Sequence, residues 1–221
     1  IVVYYNMIKR EKTMKTIIPA ILTSDINDFY EKIELVKKVC DLVQIDIMDG
    51  KFVENKSIRL DEIHEMPTRF EVHLMVDEPD KYLEKCAHLG AERVIFHYES
   101  VDDPRQLILQ MQNFKFQNGM AINPNTEPED IVELLPMLDF VLVMGVYPGY
   151  YGRSFEPSAI SSIIKLKALK PELLIEVDVG LKRENVQKVA EAGADYLVVG
   201  SGIFKSVEPA RSYNELKHLV N

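Results

Sequence analysis

Residues 42–55 read LVQIDIMDGKFVEN, and the first half of this stretch has the composition of a buried β-strand. Two sets of side chains alternate along it: Val43, Ile45 and Ile47 form one set, and Gln44, Asp46 and Met48 form the other. A strand in a parallel barrel has no side that faces water, because one set of side chains packs against helices and the other fills the barrel. The alternation therefore predicts a barrel strand that directs Asp46 into the interior.

Seven further runs of short apolar sequence accompany this one, and amphipathic stretches separate them. The eight runs cover residues 16–22, 41–48, 70–76, 93–99, 119–124, 139–146, 173–180 and 195–204. Two of the intervening stretches, 29–39 and 184–193, carry apolar residues at the spacing of a helix. Eight strands that alternate with helices predict an α/β fold of the (β/α)8 TIM-barrel type, in a single domain.

An open doubly wound sheet is the alternative architecture. That fold would need a glycine-rich phosphate-binding turn after its first strand. The sequence at this point reads TSDINDF, which has no glycine. The closed barrel is therefore favoured.

The same alternation places two more polar groups inside the barrel. His73 in FEVHLMV and Asp178 in LLIEVDVG fall on the inward set of their strands, late in each strand. The C-terminal ends of barrel strands form the rim at which such enzymes perform chemistry. Taken singly, each group has an ordinary structural explanation. Two carboxylates and an imidazole that converge on one cavity are typical of a divalent metal site.

The composition limits the partners. The chain has 221 residues and a net charge of -9, which disfavours binding to nucleic acid or to an anionic membrane. No apolar run approaches the length of a membrane span. The two cysteines, Cys40 and Cys86, stand in helical stretches without a CxxC pair, which predicts core thiols in a reducing compartment. We therefore expect a cytoplasmic protein.

The first residues differ from the rest. Residues 1–13 combine a short apolar piece with a charged stretch, and they lack the order of a signal peptide. We expect 1–13 to be an N-terminal extension outside the core, with a natural start at Met7 or Met14, and 14–221 to form the barrel domain.

The motifs resemble those of the ribulose-phosphate 3-epimerase family over residues 18–206. The similar segments are PAILTSD (19–25), QIDIMDGKFVEN (44–55), EVHLMVDEP (71–79), MGVYPGYYGRSF (144–155), IEVDVG (175–180) and EAGADYLVVGSGIF (191–204). The resemblance implies a TIM barrel of the ribulose-phosphate-binding type. It also implies an isomerase that inverts the carbon beside the ketone of a sugar phosphate.

The resemblance assigns roles to individual residues. It implies that Asp46 and Asp178 are the catalytic acid and base, and that these two residues, His73 and Gln44 hold one divalent metal ion: Zn, Fe, Mn or Mg. The ion would stabilise an enediolate. Residues expected to bind the substrate are Met48, Met75 and Met144 around the reacting carbons, and Gly149, Gly152, Gly180, Gly200 and Ser201 around the phosphate. A homo-oligomer is also expected, because related barrels often self-associate through their loop faces.

The chain departs from the family pattern at several of these places. Gln44 stands where the family usually has a histidine, which predicts weaker metal binding or a preference for Mg or Mn. Ala20 replaces a serine. The remaining departures lie in the phosphate loops: Tyr147, Tyr151 and Arg153 change the loop after strand six, and Val179 replaces a glycine. These changes put the phosphate site in doubt.

The departures leave three readings open: an epimerase of D-ribulose 5-phosphate, an epimerase of another ketose phosphate such as allulose 6-phosphate, and a non-catalytic sugar-phosphate-binding relative. The acid pair argues against the last. An unrelated decarboxylase or aldolase would need a lysine at a strand end. The only candidate is Lys51, which we expect to be an exposed loop residue.

Overall fold

The strands of the computed structural model, which describes residues 14–149, 158–178 and 180–221, close into a barrel. All eight pairings are parallel, and β8 returns to β1. The strands are β1 (Thr16–Ile21), β2 (Val43–Met48), β3 (Phe70–Met75), β4 (Arg93–His97), β5 (Gln117–Ile122), β6 (Phe140–Met144), β7 (Leu174–Asp178) and β8 (Tyr196–Val199). The predicted TIM barrel is confirmed, and closure excludes the open sheet.

Helices on the outside cover the barrel. They are α1 (Ile26–Val36), α2 (Leu83–Leu89), α3 (Pro104–Met111), α4 (Ser158–Leu169), α5 (Val186–Ala192), α6 (Ser201–Phe204) and α7 (Pro209–Val220). Two of these helices end at a glycine with positive φ: Gly90 follows α2 with φ 82°, and Gly193 follows α5 with φ 121°. Every helix among the described residues is too short or too polar to span a bilayer.

The predicted alternation of side chains is also confirmed. Val43, Ile45 and Ile47 belong to one buried cluster with the helical residues Phe29 and Ile33. The inward set includes Gln44, Asp46 and Met48, which are 0%, 5% and 5% exposed. A one-residue shift in register would reverse both sets, so burial of the outer aliphatic face fixes which side chains enter the barrel.

The last strand is shorter than the apolar run that predicted it. Residues 195–204 read as one run, yet β8 stops at Val199, and residues from Ser201 form α6. Gly200 lies between the two elements. The break places this loop at the C-terminal rim, where it contributes to the candidate site.

Cys40 and Cys86 are both free and buried, as predicted. Lys51 is an exposed loop residue whose ammonium group lies 3.8 Å from Asp77. This placement argues against a lysine-dependent decarboxylase or aldolase. Residues 1–13 lie outside the described part of the chain, so their assignment as an extension stays a prediction.

Candidate active site

Two neighbouring strands and one distant strand supply the polar cluster. In the β2–β3 register, Asp46 stands opposite His73 and Met48 opposite Met75. Asp178 ends β7, where it is paired with Met144 of β6. Closure of the barrel brings β7 round toward β2, with β8 and β1 between them. The cluster therefore depends on the whole barrel, not on any one motif.

Short distances join these side chains. His73 Nδ1 lies 3.1 Å from Asp46 Oδ1 and 3.9 Å from Asp178 Oδ2. The Gln44 amide nitrogen donates to Asp46 Oδ1 at 2.8 Å and to Asp178 Oδ2 at 3.2 Å. His73 and Gln44 are fully buried, whereas the Asp178 side chain keeps 22% of its exposure. The cluster is thus nearly closed to water, but Asp178 remains open toward the rim.

Burial and like charge act together on Asp178. Burial raises the pKa of Asp178 to about 7, and the neighbouring Asp46 carboxylate adds to the effect. Burial alone would lower the pKa of His73, but the hydrogen bond to Asp46 and the charges around it outweigh burial and raise that pKa. A pair of close carboxyl groups, one of which readily holds a proton, is suited to acid–base chemistry near neutral pH.

The cluster fits a divalent metal ion. One ligand atom from each of Asp46, His73 and Asp178 can be chosen so that all three lie within 4.8 Å of one another. Carboxylate oxygen and imidazole nitrogen suit Zn, Fe and Mn. Gln44 Oε1 is buried, and none of the described residues forms a hydrogen bond with it. A half-turn of this amide exchanges its oxygen and nitrogen and would direct Oε1 at the cluster, which leaves Gln44 available as a fourth ligand.

A small cavity opens from the cluster to the rim. It has a volume of about 50 Å³ and contacts both Asp46 and Asp178. Met48, Met75 and Met144, the residues expected around the reacting carbons, line it, and Ala20 lies there too. This volume is smaller than the roughly 300 Å³ that ligand pockets commonly exceed.

Four of the five residues assigned to phosphate line the same cavity: Gly149, Gly180, Gly200 and Ser201. Gly149 has φ +96°, and an added Cβ would lie 2.9 Å from Val53. Both the backbone conformation and the close approach therefore require glycine at this position. The fifth residue, Gly152, lies outside the described residues, as do the family departures Tyr151, Arg153 and Val179.

Loops after β2 and β6 meet above the cavity. Asn55 donates its side-chain N–H to the Gly149 carbonyl at 2.5 Å. Asp49 accepts backbone N–H groups from Lys51, Phe52 and Asp77, which is the role of a turn residue. These bonds hold the strand-two loop against the rim.

Sequence reasoning missed several polar residues in the interior. His97 is fully buried, and its Nε2 lies 2.9 Å from His73 Nε2. Burial lowers the pKa of His97 to about 4, so it is uncharged. Deeper in the barrel, Arg93 forms ion pairs with Glu71 and Glu176. Arg93 and His97 both stand in RVIFHYE (93–99). The alternation rule, applied to this stretch, predicts that Arg93 and His97 point into the barrel.

Comparison with known proteins agrees with the fold. The model of the ribulose-phosphate 3-epimerase family matches residues 16–204. The chain belongs to this family. Family membership identifies it as an enzyme of the isomerase class, as its motifs predict.

Individual relatives align over nearly their full length. The ribulose-phosphate 3-epimerase of Aquifex aeolicus is 33% identical over 216 residues, covering 94% of this chain and 97% of the relative. The ribulose-phosphate 3-epimerase of Synechocystis is 35% identical over 199 residues, covering 85% of this chain and 86% of the relative. Among solved structures, 3-hexulose-6-phosphate synthase from Salmonella typhimurium superposes with a TM-score of 0.69 at 16% identity. The superposition covers 93% of this chain and 98% of that structure. At that identity the likeness concerns the fold alone.

Proposed function

We propose that this chain is a metal-dependent epimerase that inverts C3 of D-ribulose 5-phosphate to give D-xylulose 5-phosphate. The observation that carries the proposal is the convergence of Asp46 and Asp178 on one cavity, with His73 between them. Family membership supports the reaction type. The reaction would belong to the pentose phosphate pathway in the cytoplasm.

The chemistry requires a base and an acid on the two faces of the substrate. One carboxylate, Asp46 in the forward direction, takes the proton from C3. The C–H electron pair forms the C2–C3 double bond, and the carbonyl electron pair moves to the C2 oxygen, giving an enediolate. Asp178 then donates a proton to the opposite face of C3: the C2–C3 electron pair forms the new C–H bond, and the C2 oxygen re-forms the carbonyl. In the metal-free site burial raises the pKa of Asp178 to about 7, which supports a proton-carrying role, whereas a bound cation would favour its carboxylate form.

A divalent ion held by Asp46, His73 and Asp178, with Gln44 as a candidate fourth ligand, would stabilise the negative charge on the two substrate oxygens. Zn, Fe, Mn and Mg all remain candidates, because the donors include both imidazole and carboxylate. The three methionines would exclude water from the reacting carbons. The rim glycines and Ser201 would bring backbone close to the phosphate.

The decisive experiment follows solvent deuterium into the substrate. The protein is freed of metal with a chelator, reloaded separately with Zn, Mn, Fe(II) or Mg, and incubated in D2O with a panel of ketose phosphates. We expect deuterium at C3 of ribulose 5-phosphate, dependent on the added ion, together with formation of xylulose 5-phosphate.

The panel also includes allulose 6-phosphate, fructose 6-phosphate and unphosphorylated ribulose. Faster exchange with a hexulose phosphate would transfer the proposal to that substrate. Absence of exchange with every sugar and every ion would overturn the catalytic proposal in favour of a sugar-phosphate-binding relative. Equal exchange with and without metal would overturn the metal requirement alone.

A further inference from the structure

A series of buried side chains leads from the candidate metal site into the barrel wall. His73 directs Nδ1 at Asp46 and Nε2 at His97, whose own Nε2 lies 2.9 Å away. The two imidazole rings are nearly parallel, with an interplanar angle of 24° and centroids 5.0 Å apart. On its other side, His97 Nδ1 lies 3.6 Å from Glu99 Oε2. Nothing in the proposed chemistry uses His97 or Glu99.

Glu99 is held firmly at its other oxygen. Its Oε1 accepts the backbone N–H of Asn123 at 2.8 Å and the hydroxyl of Thr126. Glu99 Oε2 and His97 Nδ1 have no hydrogen-bond partner among the described residues, although both are buried. The side-chain oxygen of Asn123 is a further buried acceptor without a hydrogen-bond partner among the described residues. On this side His97 Nδ1 therefore has an acceptor, the Glu99 carboxylate oxygen, at 3.6 Å.

Proton positions along the series follow from these contacts. A neutral imidazole has one N–H and one lone pair. Because His97 Nδ1 faces this acceptor, it carries the N–H, and His97 Nε2 presents a lone pair. The facing atom, His73 Nε2, must then carry a proton to make the 2.9 Å contact a hydrogen bond. His73 Nδ1 is consequently the nitrogen that faces the carboxylate cluster: in the metal-free site it donates to Asp46, and toward a bound cation it would present its lone pair.

We propose that His97 and Glu99 are positioning residues that hold His73 with its proton on Nε2, so that Nδ1 is presented as a metal ligand between Asp46 and Asp178. The inference rests on the proposed metal-dependent function. Partners behind a ligating histidine commonly set its tautomer and ring orientation, and their loss typically lowers metal affinity about 10- to 100-fold.

The test measures metal affinity of the full chain by calorimetry, with Zn²⁺ and Mn²⁺ as probes, after chelator treatment. His97→Phe keeps a ring but removes both nitrogens, and we expect its metal affinity to fall about 10- to 100-fold. His97→Gln can present an oxygen acceptor to His73, and we expect it to recover most of that loss. Val94→Ala is the matched control, because Val94 is equally buried on β4 but belongs to the helix-facing cluster. It should reduce stability and leave metal affinity unchanged.

A second variant and a spectroscopic readout keep the proposal testable if His97→Phe fails to fold. Glu99→Gln preserves shape and removes the charged acceptor, so we expect weaker metal binding and shifted ring ¹⁵N resonances of His97 and His73. In the metal-free parent, the same ¹⁵N spectrum should show His97 protonated on Nδ1 and not on Nε2.

The outcomes separate this inference from the proposed function. A parent protein that binds none of the divalent ions would overturn the metal-dependent function, while the ¹⁵N spectrum would still decide the tautomer. A parent that binds metal while His97→Phe and Glu99→Gln bind it equally well would overturn the positioning role alone. A His97 proton on Nε2, or an equal loss in Val94→Ala, would overturn it as well.

Discussion

Two layers of buried charged side chains occupy the interior of the barrel, and their negative charges are balanced in different ways. The lower layer consists of Glu71, Arg93 and Glu176. The upper layer consists of Asp46, His73 and Asp178. All three belong to the inward-pointing set of side chains on their strands. His73 follows Glu71 by two residues, and Asp178 follows Glu176 by two, so the layers are separated by one inward step, roughly 7 Å.

The lower layer contains its own cation. Arg93 Nη1 lies 2.7 Å from Glu71 Oε2, and Arg93 Nη2 lies 2.5 Å from Glu176 Oε2. The guanidinium also stacks 3.7 Å from the Phe140 ring centroid and 4.4 Å from that of Tyr196. Burial raises the pKa of Glu71 well above its usual range, against the pull of Arg93.

The upper layer has no such cation. Within the described part of the chain, Asp46 and Asp178 form ion pairs only with His73, and no lysine or arginine reaches them. Buried carboxylates without a positive partner are costly. Similar residue types are therefore balanced differently at the two levels: among the described residues the lower set has its own cation, and the upper set keeps two carboxylates without one, as the proposed metal-dependent chemistry requires.

The largest effect should come from removing either upper carboxyl group. Asp46→Asn and Asp178→Asn keep the side-chain shape but remove the proton carrier, so we expect turnover to fall about 10³- to 10⁴-fold, or about 4–5 kcal/mol in activation free energy. Steady-state kinetics with ribulose 5-phosphate, alongside thermal unfolding to verify the fold, is the measurement.

Glu71→Gln is the matched control for this experiment. It makes the same kind of change in the lower layer, at a residue that does not line the cavity, and we expect turnover to be retained. Near-normal turnover in either aspartate variant, or a comparable loss in Glu71→Gln, would contradict the division of roles between the layers.

Removing the lower cation should cost stability and spare the chemistry. Arg93→Met leaves two glutamates facing each other without a partner, and breaking a buried ion pair in this way typically lowers the free energy of unfolding by about 3–5 kcal/mol. Urea unfolding at neutral pH would measure the loss. The triple variant with Glu71→Gln and Glu176→Gln added should regain part of it. A loss below about 1 kcal/mol would show that the lower layer is not held by its charges.

The sequence allowed the fold and the upper layer to be predicted for the same physical reason. Strand alternation is local, so Val43, Ile45 and Ile47 identify the outer face and, by exclusion, direct Asp46 inward. The same rule applied to β3 and β7 found His73 and Asp178. Repetition of eight such runs supplied the barrel.

Distances within the site could not be read from the sequence. The 3.9 Å between His73 and Asp178 depends on how far the strands are staggered when the barrel closes, and closure is a property of all eight pairings. Arg93 and His97 were overlooked although the alternation applies to them. The partner of Arg93, Glu176, lies on β7, and a contact of that kind becomes visible only in three dimensions.

The upper layer should also give the metal-free protein a distinctive pH dependence. Asp178 has a pKa of about 7 when folded, raised by burial and then by Asp46, against 3.8 as the ordinary value. Because the folded pKa is the higher one, the stabilising contribution of this group is fully present below about pH 3.8 and is lost as pH rises through about 7. Asp178→Asn removes the ionisable group, and with it the loss of stability as pH rises.

We therefore expect the variant to gain stability over the parent as pH rises between these values, by at most about 4 kcal/mol. Urea unfolding of both chelator-treated proteins at several pH values is the measurement, with an asparagine variant of the exposed Asp102 as the control for a surface carboxyl. A difference between Asp178→Asn and the parent that stays constant with pH would contradict the raised pKa of Asp178.

The smallest effect concerns Gln44, which connects the layers: it stands opposite Glu71 in the β2–β3 register, and its amide reaches both upper carboxyl groups. Gln44→His replaces a neutral amide with an imidazole, a stronger ligand for zinc, so we expect metal affinity to rise about tenfold, or about 1.4 kcal/mol. Calorimetry and metal content after dialysis would measure the change, with Gln44→Leu as the control that has no ligand atom. If parent and Gln44→His retain equal metal, Gln44 is not the fourth ligand. If Gln44→Leu binds metal as tightly as the parent, the upper layer needs only its two carboxylates and one histidine to hold the ion.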